Sequence, residues 1–550
     1  MVVPVGETEG EGEGEGEGKE GERQQMQAMG VVMGVVVVVL VVLVSIGQGV
    51  QGTRDSLMQD EDMGSECKVW LVQSIPTDMP ELRQVEGVLN TGDVLRWLAG
   101  NATQKGLDVT AQYWELQAEP RSPRSGEYGF SEQEMERFGA SAGKAVYESL
   151  LAAADRGVPI RILQHSGFSP SFDAESAAIA SGRPNVKNRT LLLEEWWGSG
   201  IIHMKLWMAN KEDAYLGSAN NDWKSLTQVK EVGVYFRRCS KVVKLLEGYF
   251  NNFWTLTDLN ATEHTSVVWD QQWQLNRRVP CWSHFVESGD RCLSPFPKYT
   301  ITPHVQGYPS FSDPPFFPLS LSTPGWKSGN GKGASPAYIS VSPPEIASDH
   351  SYQIDEQGWL DTILSVPMNG TVRINTMDWL GQSQFLDADV FWPAFTDAIS
   401  KVVFSKGATV KVLVAHWRTT IQGTEEYLMY LNYTNSLCKS SVYNHCTGKV
   451  EIKYYEVPGW DATGPALNAT TGAPTGNKYP SFTRVNHAKF VVSDVRANIG
   501  TSNLVWDYFY TTAGASFGTY DPRIVSQLQA IFDADWISPY AIPLSSTSSL

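Results

Sequence analysis

The hydrophobic and polar positions of this chain predict strands and helices in an order that occurs twice. In the first run, an alternating strand over residues 107–116 is followed by a helical stretch over 142–155, by Gly157 and by a strand over 158–163. A later strand carries His203-Met-Lys-Leu-Trp-Met and leads into a Gly-x-x-Asn turn. Strands that alternate with helices predict an α/β unit whose sheet is covered by helices.

The second run repeats that order further along the chain. A strand over residues 370–377 precedes a helical stretch over 391–404, Gly407 and a strand over 408–415. A later strand carries His487-Ala-Lys-Phe-Val-Val before another Gly-x-x-Asn turn. We therefore expect an α/β fold of two halves related by pseudo-twofold symmetry. Duplicated halves often meet at such an axis, which is a natural place for one shared site.

Changes in composition set the boundaries of the two halves. Residues 67–293 form the first half and residues 351–545 the second, with a connection over 294–350 that is rich in Pro, Ser and Gly. Such a composition predicts a long, irregular segment and no core element. Its aromatic residues indicate that it packs on the body.

The segment before the first half predicts a membrane anchor. Residues 1–27 contain a Gly-Glu repeat, which predicts a disordered acidic tail on the cytosolic side. Residues 28–47 are almost wholly apolar and are long enough to cross a bilayer core of about 30 Å, and residues 48–66 form a stem. A cleaved signal peptide is the alternative, but its charged region would be basic and its apolar stretch shorter.

The overall charge narrows the classes of partner. The chain has 550 residues, 42% of them hydrophobic, and a net charge of −17, so it can fill a core and is not a generally basic nucleic-acid coat. A nucleic acid held in a local basic cleft remains compatible with this charge.

Sequons and cysteines indicate an oxidising lumen. All six sequons follow the apolar segment, at Asn101, Asn188, Asn260, Asn369, Asn432 and Asn468. The cysteines are Cys67, Cys239, Cys281, Cys292, Cys438 and Cys446. They lack the CxxC spacing of zinc sites, so we expect three disulfides and no metal. Fifteen pairings are compatible with six cysteines. Short loops favour Cys281–Cys292 and Cys438–Cys446, which leaves Cys67–Cys239.

The repeated His-x-Lys strands and Asn turns carry the candidate chemistry. In a strand, residues i and i+2 share a face, so the histidine and lysine of each motif project together. The turn that follows can return its asparagine to the same pocket. The candidate catalytic set is His203, Lys205, Asn220, His487, Lys489 and Asn503.

Two imidazoles, two ammonium groups and two carboxamides suit phosphoryl transfer at a diester. One imidazole attacks phosphorus and forms a covalent phosphohistidine, and the other protonates the leaving oxygen and then activates water. The lysine and asparagine donors stabilise charge on the non-bridging oxygens, as a metal does in other enzymes. The expected reaction therefore needs no cofactor.

These motifs resemble the signature of the phospholipase D superfamily, H-x-K-x4-D followed by G-S-x-N. The second-half motif runs from His487 to Asp494 and is followed by Gly500-Thr-Ser-Asn503. The first-half motif begins at His203 and has Asn210 where the signature has Asp. The resemblance adds Asp494 to the candidate catalytic residues. The change to Asn210 is expected to affect fine tuning more than activity.

The resemblance is closest to phospholipase D family members 3 and 4. It is carried by residues 217–231, 484–487, 500–503 and 527–540 and covers roughly residues 67–541. It implies a single-pass type II membrane glycoprotein that passes through the endoplasmic reticulum and Golgi to the endolysosome. It also implies an acid 5′→3′ exonuclease that acts on single-stranded DNA and RNA. A homodimer is left open.

Glu231 follows the first Asn turn at a spacing where the superfamily often has a carboxylate that orients a catalytic imidazole. Such a partner fixes the tautomer and stabilises the imidazolium. The same distance in the second half falls on Gly514, so the two halves are not equal. This asymmetry can divide the roles of the two histidines, but the sequence leaves open which one is the nucleophile.

Three further side chains are candidates for substrate binding. Tyr113 and Trp114 end an early strand whose edge should face the pocket, where they can stack on a base. Residues 377–379 occupy the corresponding place in the second half. His416 ends a strand beside the expected cleft. Core packing is the alternative for all of them.

Three hypotheses of function follow. The first is a metal-independent phosphodiesterase, a lumenal 5′→3′ exonuclease on single-stranded nucleic acid at acid pH. The second keeps the mechanism but has a phospholipid as substrate, by hydrolysis or by transfer to an alcohol. The third is an inactive membrane glycoprotein, which only Asn210 supports.

Overall fold

The computed structural model describes residues 67–544, except positions 83, 166–172, 284, 287–291, 297–316, 320–334, 348–351 and 443–444. The expected tail, anchor and stem therefore lie outside the described residues. Within the described part, no helix combines the length and hydropathy that a membrane crossing requires.

The first half contains short strands and helices in alternation. Its strands are β1 (Lys68–Ser74), β2 (Leu89–Asn90), β3 (Leu107–Ala111), β4 (Trp114–Glu115), β5 (Ile160–Gln164), β6 (Val186–Thr190), β7 (Lys205–Ala209), β8 (Asp213–Gly217), β9 (Asn221–Asp222), β10 (Glu231–Arg237), β11 (Thr265–Asp270) and β12 (Leu275–Pro280). Its helices are α1 (Thr91–Gly100), α2 (Glu132–Arg137), α3 (Ser141–Asp155), α4 (Ala174–Ala180), α5 (Glu194–Trp197), α6 (Trp223–Thr227), α7 (Ser240–Leu256) and α8 (Ala261–His264).

The second half also contains strands and helices in alternation. Its strands are β13 (Phe317–Leu319), β14 (Ser335–Ser342), β15 (Gln353–Ile354), β16 (Thr371–Thr376), β17 (Trp379–Leu380), β18 (Thr409–Ala415), β19 (Lys449–Tyr455), β20 (Phe490–Val492), β21 (Ala497–Gly500), β22 (Leu504–Val505), β23 (Gly514–Thr519) and β24 (Ala541–Pro543). Its α-helices are α9 (Asp355–Leu364), α10 (Ala394–Lys406), α11 (Thr424–Lys439), α12 (Trp506–Tyr510) and α13 (Pro522–Ile537), and 3₁₀ helices lie at Pro344–Ile346 and Trp460–Ala462.

The two main sheets repeat one strand order. The first runs β2-β1-β10-β8-β7-β3-β5-β6, and the second runs β13-β14-β23-β21-β20-β16-β18-β19-β24 with β15 beside β14. In each sheet the last crossover strands are parallel, β3 with β5 and β6 in the first and β16 with β18 and β19 in the second. The neighbouring pairs β3–β7 and β16–β20 are antiparallel. The α/β fold expected from the alternation of strands and helices is confirmed.

Glycine permits the turn that ends the first crossover helix of each half. Gly157 follows α3 with φ +78°, and Gly407 follows α10 with φ +62°. This left-handed conformation is unfavourable for other residues, so glycine lets the chain turn back into the next strand. Both positions were apparent in the sequence as the residue between helix and strand.

The two sheets pack against each other through one hydrophobic core. Val234 of β10 and Ile499 of β21 are fully buried in the same cluster. The rings of Phe236 and Phe517 meet edge to face, with centroids 5.0 Å apart. Burial of large apolar side chains is the main stabilising contribution to folding, so this shared core stabilises the contact between the two halves.

Three disulfides confirm the pairing that short loops favoured. They join Cys67 to Cys239, Cys281 to Cys292 and Cys438 to Cys446. The first spans 172 residues and ties the start of β1 to the start of α7. Closing so long a loop restricts the unfolded chain more than the two short bridges do.

The expected connection over 294–350 is wrong in one respect, because it contains a core strand. β14 lies inside that range and pairs with β23 from Ala337 to Ser342. Its residues Tyr338, Ile339 and Val341 are buried in the interior. Pro and Ser on both sides of this strand conceal it in the sequence, so the second half begins earlier than residue 351.

Candidate active site

A pocket of about 340 Å³ lies where the two halves meet, and both halves contribute to its wall. It collects five of the eight predicted catalytic residues together with Asp378, one of three further carboxyl groups in its wall. These are His203, Asn220, Glu231, His487, Asn503 and Asp378. The pseudo-equivalent turns after β8 and β21 therefore deliver their side chains to one place.

Each candidate histidine is held by the main chain of the opposite half. The main-chain N–H of His203 donates to the carbonyl oxygen of Ala513 at 3.1 Å. The main-chain N–H of His487 donates to the carbonyl oxygen of Lys230 at 2.8 Å. The two imidazole rings lie 6.4 Å apart between centroids, with planes at 76°. A single phosphorus atom can therefore contact both rings.

The two motif lysines are buried beside the histidines. The Lys205 ammonium donates to the His203 carbonyl oxygen at 2.7 Å, and the Lys489 ammonium donates to that of His487 at 2.6 Å. Burial lowers the pKa of Lys489 to about 7, although the charges of Glu231 and Asp378 oppose this. Burial and the nearby Lys489 charge hold the pKa of Lys205 well below its usual range.

Glu231 is the carboxylate partner of His487. The Nδ1 atom of His487 lies 2.9 Å from both carboxylate oxygens, and Glu231 is fully buried. Burial lowers the pKa of His487 to about 4, while the facing carboxylate raises it against this effect. Burial alone would raise the pKa of Glu231, but the charges of His487 and Lys489 lower it. Glu231 thus favours the imidazolium form of His487.

His203 has a different environment. The place of Glu231, at the start of β10, is taken in the second half by Gly514 at the start of β23. The His203 ring instead interacts with the main chain of Thr501 and meets the Tyr508 ring edge to face at 4.9 Å. Burial, with the nearby lysine charges, holds the pKa of His203 well below its usual range. His203 is therefore the neutral imidazole of the pair.

The two motif asparagines have unlike partners. In the first half, the Asn220 amide donates to the Tyr113 hydroxyl at 3.1 Å, and that hydroxyl donates to Asp222 at 2.9 Å. In the second half, the Asn503 amide donates directly to Asp378. Burial raises the pKa of Asp378 to about 6, and the Lys489 charge opposes this. Tyr113 and Asp378 thus fix the orientation of the carboxamides, while both still line the pocket.

A buried charge cluster supports the first-half turn, and sequence reasoning missed it. The Lys224 ammonium lies 2.6 Å from Glu115 and 3.2 Å from Glu127, and its main-chain N–H donates to Asp222. Burial raises the pKa of Glu115 to about 8 and that of Asp222 to about 6, although Lys224 opposes both shifts. The available signal was the Asp-Trp-Lys sequence directly after the Gly-x-x-Asn turn.

Two of the expected substrate contacts are wrong. Trp114 is 1% exposed and its indole N–H donates to Gln164 at 3.0 Å, so it packs in the core. His416 lies outside the pocket wall, where its Nδ1 atom is 2.7 Å from Glu456 and its ring is 4.4 Å from that of Trp460. The next residue, Trp417, lines the pocket instead. β18 ends at Ala415, and the chain turns before its side chains alternate further.

Asp494 is also not a member of the pocket. It lies exposed at the far end of β20, where its carboxylate accepts a hydrogen bond from the Thr371 N–H at 2.8 Å. Asn210 performs the same role in the first half, since its side-chain oxygen accepts from the Thr103 N–H at 2.8 Å. The side chain at this motif position therefore fixes a neighbouring loop by accepting a hydrogen bond. The oxygen of an amide can accept that bond as well as the oxygen of a carboxylate.

We expect Asp494→Asn to leave kcat/KM within about threefold of the wild-type value, because the loop needs only an acceptor. Asp494→Ala should lower the free energy of unfolding by roughly 1 kcal/mol, the usual contribution of such a hydrogen bond. Steady-state kinetics and urea denaturation measure the two effects, and Asn210→Asp is the matched control. A 100-fold loss of activity in a stably folded Asp494→Asn protein would contradict a structural role.

Comparison with known proteins finds similarity to phospholipase D proteins and to a 5'-3' exonuclease. Residues 131–274 match the family model described as PLD3/4, PLD-like domain. A probable phospholipase D of Caenorhabditis elegans is 30% identical over 501 residues, which cover 88% of this chain and 74% of that protein. The 5'-3' exonuclease PLD3 of Xenopus laevis is 27% identical over 510 residues, which cover 91% of this chain and 85% of that protein.

The chain is also similar to one further relative and to one solved structure. Phospholipase D Z of Dictyostelium discoideum is 29% identical over 411 residues, which cover 74% of this chain and 78% of that protein. Among solved structures, the phosphatidylserine synthase of Haemophilus influenzae covers 82% of this chain and 85% of its own, with 11% identity and a TM-score of 0.43.

Proposed function

The chain belongs to the phospholipase D family of phosphodiesterases, and from this premise we propose a metal-independent 5′→3′ exonuclease that acts on single-stranded DNA or RNA at acid pH. One observation carries the mechanism: two imidazoles from different halves lie 6.4 Å apart in one pocket. The activity for which the PLD3 relatives are named supports the choice of substrate.

The unequal surroundings of the histidines assign their roles in this proposal. His203 is neutral and has no carboxylate partner, so its nitrogen lone pair attacks phosphorus and forms the phosphohistidine bond. The bond from phosphorus to the leaving oxygen breaks, and that oxygen takes a proton from His487. Glu231 stabilises the imidazolium of His487 before this transfer. Water then gives its proton to His487 and attacks phosphorus, which releases His203.

The remaining polar groups stabilise the charge on the phosphoryl oxygens. The Asn220 and Asn503 amides line the pocket, and the two buried lysines supply positive charge behind the histidines. A bound phosphodiester raises the pKa of nearby cations, so its binding takes up protons. Burial lowers the pKa of His487 to about 4 and that of Lys489 to about 7, which supports activity at acid pH.

Burial of the histidines supports a single-stranded substrate. His203 is 3% exposed and His487 is 7% exposed, so the scissile phosphate has to enter a recess. The end of a single strand is narrow and flexible enough to place a phosphate in this pocket. A duplex is wider and more rigid, so its phosphates cannot enter the recess. This geometry favours cleavage from an end over cleavage within a helix.

The proposal includes a location. We propose a single-pass type II membrane glycoprotein whose catalytic body lies in the lumen, on the route from the endoplasmic reticulum through the Golgi to the endolysosome. Three disulfides support an oxidising compartment. The sequon residues with exposed side chains are Asn101, Asn260, Asn369 and Asn468. Asn188 is half-buried, and its amide donates to Ser176, which disfavours a glycan there.

A side-by-side assay at acid pH tests this function. We expect stepwise shortening of a 3′-labelled single strand from its 5′ end, undiminished by EDTA, and at least about 100-fold slower cleavage of the same strand in a duplex, the scale of a misplaced reacting group. Phosphatidylcholine vesicles are the competing substrate, and His487→Ala protein prepared in parallel controls for contaminating nucleases. Lipid hydrolysis without strand cleavage would refute the exonuclease proposal, and loss of activity in EDTA would refute the metal-free mechanism.

A further inference from the structure

The mouth of the pocket has an aromatic rim that the chemistry of phosphoryl transfer does not use. The rim comprises Phe385, Trp417, Phe482 and Tyr508, all from the second half. Phe385 is 46% exposed and Phe482 is 58% exposed, although large apolar side chains are usually buried. Exposed aromatic faces beside a reactive pocket indicate a contact with the substrate.

Phe482 is held in this exposed position by a strained backbone. Its φ of +56° is the left-handed conformation, which a bulky residue rarely adopts. Arg484, two residues later, also has a positive φ, of +58°, and is fully buried. Its guanidinium donates to the carbonyl oxygens of Pro458 at 2.7 Å and Thr77 at 2.8 Å. Strain that the surrounding structure maintains in this way is typical of functional segments.

The rim side chains connect to the catalytic histidines through ring contacts. The ring centroids of Phe385 and Tyr508 are 6.0 Å apart, and those of Tyr508 and His203 are 4.9 Å apart. Phe482 lies 6.5 Å from Trp417 on the same wall. A planar group attached to a phosphate at the histidines would therefore reach the exposed rings.

We propose that the aromatic rim binds a nucleobase next to the scissile phosphate by stacking, with Phe482 and Phe385 as the two exposed platforms. This inference rests on the proposed function and specifies the part of the substrate that the pocket recognises. Stacking accepts any base, because every base has a π face, so it suits an exonuclease that proceeds along a strand.

The other groups of the pocket favour a base over an acyl chain. The carboxyl groups of Glu115, Asp222 and Asp378 line the same pocket, and an acyl chain offers no hydrogen bond to such polar groups. Gln384 and Thr419 stand beside the rim and can contact the polar edges of a base. The volume of about 340 Å³ is small for a lipid with two acyl chains.

The test uses the whole protein and compares strands with natural bases against strands whose terminal nucleotides carry abasic tetrahydrofuran sugars. Phe482→Leu and Phe385→Leu keep an apolar side chain but remove the π face, while Phe482→Tyr and Phe385→Tyr retain it. Phe404→Leu, an exposed phenylalanine on α10 away from the pocket, is the matched control. Quenching of 2-aminopurine at the terminal position reports stacking directly.

We expect the wild-type protein to prefer natural over abasic strands by about tenfold or more in kcat/KM, as stacking on one aromatic side chain implies. The leucine variants should lose most of this preference through KM and lose 2-aminopurine quenching, and the tyrosine and Phe404→Leu variants should keep both. Cleavage of the abasic strand stays unchanged in all of them, which separates the rim from the reaction itself.

Unchanged preference and quenching in the leucine variants would overturn the stacking proposal while the exonuclease function stands. If leucine variants instead retain full activity on phosphatidylcholine vesicles that the tyrosine variants lose, the rim binds acyl chains and the proposal is wrong. Base-dependent quenching in a protein that cleaves no strand would support the rim and refute the exonuclease function.

Discussion

We expect His487→Ala to stall the proposed reaction as a covalent phosphohistidine adduct on His203, and we expect His203→Ala to form no adduct. Both variants lose about 10³-fold or more in turnover, since each removes either the nucleophile or the group that transfers the proton. The difference arises because His203 is the neutral imidazole, whereas Glu231 holds His487 ready to carry a proton. Intact mass spectrometry after an alkaline quench, with an activated aryl ester as the leaving group, detects the adduct.

An aryl leaving group needs no proton from His487, so the first step survives in His487→Ala while the hydrolysis of the adduct does not. His416→Ala is the control, because that imidazole also has a carboxylate partner, Glu456, but lies outside the pocket. It should keep wild-type turnover and accumulate nothing. An adduct on His487 in the His203→Ala protein would reverse the assignment of roles.

Glu231→Gln is expected to lower turnover by about 10²- to 10³-fold and to move the alkaline limb of the pH profile to lower pH. The carboxylate raises the pKa of His487 against the effect of burial, so its removal lowers that pKa further. At a given pH, less His487 is then protonated and able to give its proton to the leaving oxygen. The measurement is kcat as a function of pH, together with thermal unfolding.

Glu456→Gln is the matched control, since it removes a carboxylate from a half-buried His–Glu contact outside the pocket. Its pH profile should coincide with that of the wild type. A Glu231→Gln protein with an unshifted profile and normal turnover would show that Glu231 acts only as part of the packing. A loss of stability alone would lower the melting temperature but would leave the alkaline limb of the pH profile unchanged.

Much of the architecture could be predicted because duplication leaves the same periodic signals twice. The strand after each crossover glycine and the His-x-Lys motif occur in both halves, and both glycines have the positive φ that their position requires. The pairing of Cys67 with Cys239 followed by elimination once two short loops were closed. These features depend on local sequence or on simple counting.

The rest depends on contacts between distant segments, which a single sequence does not display. Trp114 and Tyr113 are adjacent, but the backbone directs the first into the core and the second to the pocket. Phe482 gains its exposure from a backbone conformation that no residue type indicates. Asp494 resembles a catalytic residue in the motif, yet its role is a loop hydrogen bond that only three-dimensional proximity to Thr371 reveals.

The cross-bonding of each histidine to the other half has a consequence for biosynthesis. The main-chain N–H groups of His203 and His487 donate to the carbonyl oxygens of Ala513 and Lys230 in the opposite half, and the His487 ring contacts the Glu231 carboxylate of the first half. A nascent chain that has folded only its first half is therefore inert towards the phosphodiesters around it. Hydrolytic competence therefore requires that both halves have folded and packed together.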